Sequence, residues 1–266
     1  MKEKLFKLPP KTPRQRLSAE VFFLIIMTII IGLFGRASSE NVLFTIIITV
    51  FFIINLSLRF LITYEKGDLY FFIFGVIAGG GNDLMSMING VYNYTSITII
   101  PWLSGLLPMW MILFWGQIIL LFRKVFNLKW FKGNRYQKDG SWFSGWVDNK
   151  LILDIILLIC LRIIIYNTYT MDFWIPSLIY GLAIVFRFLL YRPKKNELLI
   201  IFILPYAFLF EGLMVSFGLY VYINPIFLGM PLWLFLWWIF LVPIVLKEIF
   251  DRMEYIIRNN KKKKKK

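Results

Sequence analysis

The chain has 266 residues, 59% of them hydrophobic and 19% aromatic, with a formal net charge of +15 and no histidine. Its mean hydropathy of +0.70 is far above that of a soluble globular domain and predicts an integral membrane protein. The absence of histidine excludes histidine general bases, histidine-ligated zinc and the usual haem ligand, and a lone cysteine, Cys160, excludes an internal disulfide.

Eight apolar runs are long enough to be read as crossings of a hydrocarbon core about 30 Å thick. They cover 19–36, 42–63, 69–92, 106–123, 150–167, 174–191, 197–222 and 229–250. The basic opening MKEKLFKLPPKTPRQR precedes the first run, and small residues Ala37, Ser38 and Ser39 follow it, a signal-peptide pattern. The repeat described below favours a retained span.

The segments between runs alternate in charge. YEKGD, the long RKVFNLKWFKGNRYQKDGSWFSGWVDNK, YRPKKNE and the two ends hold nearly all the basic residues, whereas GRASSEN, TSITIIPWLSGLL, NTYTMDF and INPIFLG contain one Arg between them. Basic segments stay in the cytoplasm, so an even number of crossings in the cell membrane with both termini cytoplasmic is expected. The basic residues form no nucleic-acid motif. Anionic lipid head groups are the expected partners of the basic loops and of the lysine tail, although that tail also reads as low-complexity drift or an artificial extension.

In the third run, NDLMSMINGVYNY finds a partner 128 residues later in FEGLMVSFGLYVY: Asp83 matches Glu211, Gly90 Gly218, Tyr92 Tyr220 and Tyr94 Tyr222. The same offset matches Arg59-Phe60-Leu61 with Arg187-Phe188-Leu189, and an offset of 123 matches LPMWMILFW with MPLWLFLWW. A period this long predicts duplication. The expected fold is all-α and polytopic, about eight transmembrane helices as two parallel four-helix repeats at 19–123 and 150–250, with a basic segment at 1–18, a basic aromatic loop at 124–149 and a basic tail at 251–266.

On a continuous helix, Asp83, Met87, Gly90 and Tyr94 fall within about 60° of one another, as do Glu211, Val215, Gly218 and Tyr222, while Tyr92 and Tyr220 point away. Each acid would lie about 21 Å from the cytoplasmic helix end, where an unpaired carboxylate is costly and should face the bundle interior. The glycines would admit a ligand or neighbouring helix. Gly79-Gly80-Gly81 and Pro205 are expected to break the two acidic helices just before the acids, a pattern that marks binding sites.

Other polar residues read more simply. Arg59 and Arg187 are expected to snorkel at cytoplasmic ends, Arg162 to pair with Asp83 or Glu211 across helices, and Asp154 to lie too far from Arg162 for a pair on one helix. Asn82, Asn89, Asn93 and Gln117 are expected to bond between helices, and Trp110 and Trp233 to join an aromatic belt.

FGLYVY, preceded by Glu211 and followed by MPLWLFLWW, resembles the membrane carotenoid hydratases (carotenoid biosynthesis proteins), which add water to the end of an acyclic or C50 carotenoid. The resemblance covers about 30 residues, with a second copy from Asp83 to Trp115. It implies a membrane lipid or other hydrophobic substrate, no cofactor and no metal. Hydration or cyclisation of an isoprenoid needs a dehydrated acid and aromatic faces that tolerate a cation, so Asp83 or Glu211 would be catalytic and Gly90, Tyr94, Trp115, Gly218, Tyr222 and Trp238 would line the substrate. A proton-coupled small-solute transporter built on the same acids is the alternative, and a scaffold subunit whose acids only pair with arginines is a third reading.

Overall fold

In a computed structural model of the chain, residues 12–98, 107–131, 146–201 and 204–263 are described. The first part of the expected basic N-terminal segment, most of the loop expected at 124–149, the centre of TSITIIPWLSGLL and the last lysines lie outside these residues. Among the described residues six helices are long and apolar enough to cross a membrane: α1 (Pro13–Phe34), α2 (Val42–Thr63), α3 (Asp68–Ile88), α4 (Met109–Phe126), α5 (Asn149–Thr168) and a long element beginning at Leu232. Between the last two lie α6 (Trp174–Leu190), α7 (Lys195–Ile201) and α8 (Leu204–Ser216), all shorter. The final element runs as α9 (Leu232–Phe240), a π-helical turn (Leu241–Leu246) and α10 (Lys247–Lys263). Pro243 sits in that turn; it has no N–H for an α-helical bond and would strike the carbonyl four residues back, which the wider turn relieves.

The chain divides into two compact units, residues 1–82 with 96–129, and residues 83–95 with 130–266. In the first unit α1 packs on α2 and α4, and α2 packs on α4. A threonine capping box starts α1: Thr12 Oγ1 accepts from Gln15 N–H and Gln15 Oε1 accepts from Thr12 N–H. Along α1, Phe23, Met27 and Ile31 are buried while Phe22, Ile25, Ile29 and Leu33 are exposed, so apolar side chains cover both faces, as a lipid-facing helix requires. Phe52 of α2 stacks on Trp110 of α4 with ring centroids 6.3 Å apart and meets Phe114 edge-on at 5.6 Å. Trp110 is buried and not part of an exposed belt.

α3 runs unbroken through Gly79-Gly80-Gly81, contrary to the break expected there. The glycines serve close packing: a Cβ on Gly79 would lie 2.4 Å from the Trp115 ring, and one on Gly75 would lie 2.7 Å from the Trp115 carbonyl oxygen. Pro205 stands in the first turn of α8, where its missing N–H would be unsatisfied in any case; residues 202 and 203 before it lie outside the described residues.

In the second unit α5 packs on α6, α6 on α9, and α8 on α9. Here Tyr180 of α6 meets Trp233 at 6.2 Å and Trp237 edge-on at 6.2 Å. These residues stand at the offsets of 128 and 123 from Phe52, Trp110 and Phe114, and Pro108 and Pro231 cap α4 and α9 in the same extended conformation.

Neither Arg59 nor Arg187 snorkels; both are fully buried. Arg59 Nε donates to Glu20 at 2.9 Å and Arg59 Nη1 pairs with Asp68 at 2.8 Å. Arg187 grips Asp154 with two parallel bonds of 2.8 and 3.2 Å. A guanidinium fork that finds a carboxylate inside the bundle has no need to reach for water. Asp154 therefore answers Arg187 on α6 and not Arg162 on its own helix.

Candidate functional site

The site forms where α3 and α8 end. Both helices stop with the same backbone device. Gly90 N–H donates to Met87 O at 2.9 Å and Val91 N–H to Ser86 O at 2.9 Å; Gly218 N–H donates to Val215 O at 2.8 Å and Leu219 N–H to Met214 O at 3.3 Å. These paired bonds are Schellman closures, which place the glycine in the left-handed region, and Gly90 and Gly218 have φ of +73° and +72°. The glycines are thus chain-reversal residues. At Gly218 a Cβ would meet nothing within 4 Å, so close approach is not what selects it.

Beyond the glycines the chain is extended. Strands β1 (Tyr92–Tyr94) and β2 (Tyr220–Tyr222) pair antiparallel, Tyr92 opposite Tyr222, Asn93 opposite Val221 and Tyr94 opposite Tyr220. Thr95 lengthens the join: its N–H donates to Leu219 O at 2.8 Å and its hydroxyl to Gly218 O at 2.8 Å. Side chains alternate along a strand, so the four tyrosines share the buried face and Asn93 and Val221 the exposed one. The helical stripe anticipated from the sequence does not extend past Gly90 or Gly218, and Tyr92 and Tyr220, placed outside it, belong to the site.

The tyrosines form one cluster. Ring centroids lie 5.2 Å apart for Tyr92–Tyr222 and for Tyr94–Tyr220, and 5.8 Å apart for Tyr92–Tyr220. Their hydroxyls turn back to the acids. Tyr92 donates to Asp83 Oδ1 at 2.6 Å and Tyr94 to Asp83 Oδ2 at 2.8 Å, so each carboxylate oxygen has its own donor. Tyr222 donates to Glu211 Oε1 at 2.8 Å, and Tyr220 turns its hydroxyl to the same carboxyl. Asp83 is 3% exposed, whereas Glu211 is half-buried. All six residues belong to the second unit.

Of the expected lining residues, Tyr94 and Tyr222 are in the cluster and Gly90 and Gly218 build its turns. Trp115 lies in the first unit against Gly79, and Trp238 is buried in α9. Trp233 meets the cluster, 6.3 Å from Tyr222 and edge-on; it is buried and is not a belt residue. Asn89 bonds within its own helix, donating to Met85 O at 2.7 Å.

Sequence reasoning missed Tyr92, Tyr220, Trp233 and Ser86. Tyr-x-Tyr directly after a glycine, in both copies, carried the signal, since that spacing puts both rings on one side of a strand. For Arg162 the expected partner is a carboxylate, Asp83 or Glu211. In the structure one of its Nη groups donates to the buried Ser86 hydroxyl and its Nε to Tyr166 Oη at 3.3 Å.

The cluster offers two carboxyl groups held in place by phenol donors under a wall of aromatic rings. Among the described residues no group of three or more acids and cysteines could hold a metal ion.

No protein-family model and no curated protein matches the chain. Among solved structures, a cross-linked trimer of MvINS is similar in fold, with a TM-score of 0.53 and 13% identity over 71% of this chain and 96% of that one. At that identity the likeness concerns the fold alone.

Proposed function

We propose that the chain is a multi-pass cell-membrane protein of two parallel four-helix repeats with both termini cytoplasmic, and that the acid–tyrosine cluster is the catalytic centre of an enzyme that hydrates or cyclises the end of a polyisoprenoid lipid. The repeat reading is supported by matched pairs in the two units: Phe52 with Tyr180, Trp110 with Trp233, and buried Arg59 with buried Arg187. Eight crossings follow if α6 and the α7–α8 pair join the six longer helices.

One observation carries the enzymatic reading: Asp83 and Glu211 face a single apolar tyrosine cluster from two helix ends, each bonded to a tyrosine hydroxyl. A protonated carboxyl gives its proton to a terminal alkene carbon, which leaves a tertiary carbocation. The π-faces of the tyrosines stabilise the charge, worth about 2 kcal/mol or more per contact when desolvated. In hydration, water adds to the cation and the oxonium proton returns to a carboxylate. In cyclisation, a neighbouring alkene attacks the cation and the proton lost at the end goes to the same acceptor. Neither route consumes an oxidant or a reductant, and the acid is regenerated.

The test is expression beside a pathway that makes acyclic carotenoids, followed by chromatography of the extracted pigments. A new hydroxylated or cyclised product is expected, lost in Asp83→Asn and Glu211→Gln. An unchanged profile across several acyclic substrates, together with solute uptake driven by a pH gradient and abolished by the same substitutions, would replace this reading with proton-coupled transport.

A further inference from the structure

Every other arginine buried within the long helices meets a carboxylate: Arg59 meets Glu20 and Asp68, Arg123 meets Asp68, Arg187 meets Asp154, and Arg252 meets Asp148 and Glu248. Arg162 is half-buried in α5, six residues before its end at Thr168 and so about 9 Å inside it. Among the described residues no carboxylate is in salt-bridge contact with it. Its partners are neutral. They are the Ser86 hydroxyl, the Tyr166 hydroxyl at 3.3 Å, the Tyr180 hydroxyl, and the rings of Trp237 and Tyr166, whose centroids lie 4.8 and 5.1 Å from the guanidinium carbon.

Among the described residues this arrangement leaves the charge with no carboxylate in contact. A cation among apolar helices is costly unless it is paired, and guanidinium carries five donors in a fork that matches an oxyanion. Asp83, three residues before Ser86 on α3, accepts from Tyr92 on one carboxylate oxygen and from Tyr94 on the other. Helix packing does not demand the arginine either. Buried Glu20, Met27 and Ile31 of α1 stand 134 places before buried Asp154, Leu161 and Ile165 of α5, and on that offset Arg162 falls on Thr28, whose hydroxyl merely bonds Leu24 O at 2.9 Å.

We propose that Arg162, with Ser86 and Tyr166, is the seat for the oxyanion head, phosphate or carboxylate, of an amphiphile whose chain stays among the apolar helices. The guanidinium supplies the charge and the fork, Trp237 holds its plane, and the hydroxyls complete the shell. The seat adjoins the acid–tyrosine cluster through Ser86 but does not depend on the catalytic reading, because its test involves no turnover.

The experiment titrates the full-length protein, in nanodiscs of zwitterionic lipid, with dodecyl phosphate, dodecanoate, dodecanol and inorganic phosphate, and follows the melting temperature, which rises when a ligand binds the folded state. Both anionic amphiphiles should raise it saturably while dodecanol and inorganic phosphate do not. Arg162→Gln should weaken the anions by about tenfold or more, and Arg162→Lys should recover part of the loss because it restores charge without the fork. An equal response to dodecanol, an equal response to inorganic phosphate, or undiminished binding to Arg162→Gln overturns the proposal. If Arg162→Gln does not fold, Ser86→Ala decides: several-fold weaker anion binding supports the seat, and unchanged binding removes it.

Discussion

Tyr92 stands directly opposite Tyr222 across the short ladder, their ring centroids 5.2 Å apart, yet the two hydroxyls go to different acids on different helices. The ladder therefore couples the end of α3 to the end of α8 through side chains as well as backbone. Substituting one tyrosine should be felt at both acids. Tyr92→Phe removes a 2.6 Å bond to a buried carboxylate, a loss of about 1.5–3 kcal/mol. A double-mutant cycle of Tyr92→Phe with Asp83→Asn, read by thermal or denaturant unfolding in micelles, should show a coupling of at least about 0.5 kcal/mol. Additive effects would mean that the bond contributes nothing.

The two turn glycines should differ in their tolerance of alanine. Both have φ near +70°, so a Cβ costs about 1–2 kcal/mol at either position. At Gly90 the new methyl would also lie 2.9 Å from the Tyr169 hydroxyl, whereas at Gly218 it meets open space. Gly90→Ala should therefore lower the melting temperature more than Gly218→Ala, and equal losses would show that Tyr169 yields freely.

The buried pair of Arg187 and Asp154 makes a sharper prediction. Removing only one partner, as in Arg187→Met, strands a carboxylate inside the bundle and should cost about 3–5 kcal/mol. Replacing both, Arg187→Met with Asp154→Leu, should recover most of that loss. A double variant as unstable as the single one would mean that the pair specifies the helix arrangement beyond its charge balance.

Asp148 caps α5 from outside the membrane-spanning segment. Partial burial opposes its charge, but the Leu151 N–H at 2.8 Å and Arg252 at 2.8 Å outweigh it and hold the carboxyl below the usual carboxylate range. A folded pKa below the unfolded value of about 3.9 means stability that is complete above that value and lost as pH falls through the folded one. Asp148→Asn keeps an N-cap acceptor but not the charge. It should lose the charge's contribution at neutral pH and so flatten the acid limb of the stability profile below about pH 4, while Asp148→Ala should lower the neutral plateau by about a further 1 kcal/mol. An acid limb unchanged in Asp148→Asn would assign it to other groups.

What could be read from the sequence divides along the range of the interactions. The apolar runs, the two acids and their shared offset are local patterns, and α1, α2 and α5 fall close to the expected spans. The helical stripe failed because its period was carried past Asn89-Gly90 and Phe217-Gly218, where a left-handed glycine stops the helix and the period changes from 3.6 to 2. Arg59 and Arg187 read as snorkelling residues in the sequence because their partners, Glu20 and Asp68 in one case and Asp154 in the other, lie on other helices. No spacing rule within one helix finds such partners. The tyrosines Tyr92 and Tyr220 needed both the stop and the strand to be seen.

The glycine run of α3 separates packing from flexibility. Gly79 abuts the Trp115 ring, with 2.4 Å left for a methyl, while nothing lies within 4 Å of a methyl on Gly81. A glycine inside a continuous helix costs about 1 kcal/mol relative to alanine, so Gly81→Ala should leave the melting temperature unchanged or raise it. Gly79→Ala should push α3 away from Trp115, with an overpacking cost of about 1–3 kcal/mol. If the run worked as a hinge for the acid two residues beyond it, Gly81→Ala would impair activity or ligand binding without loss of stability. The unbroken helix from Asp68 to Ile88 instead predicts that Gly81→Ala keeps both, and a melting curve measured beside dodecyl phosphate titration of each variant decides between the two.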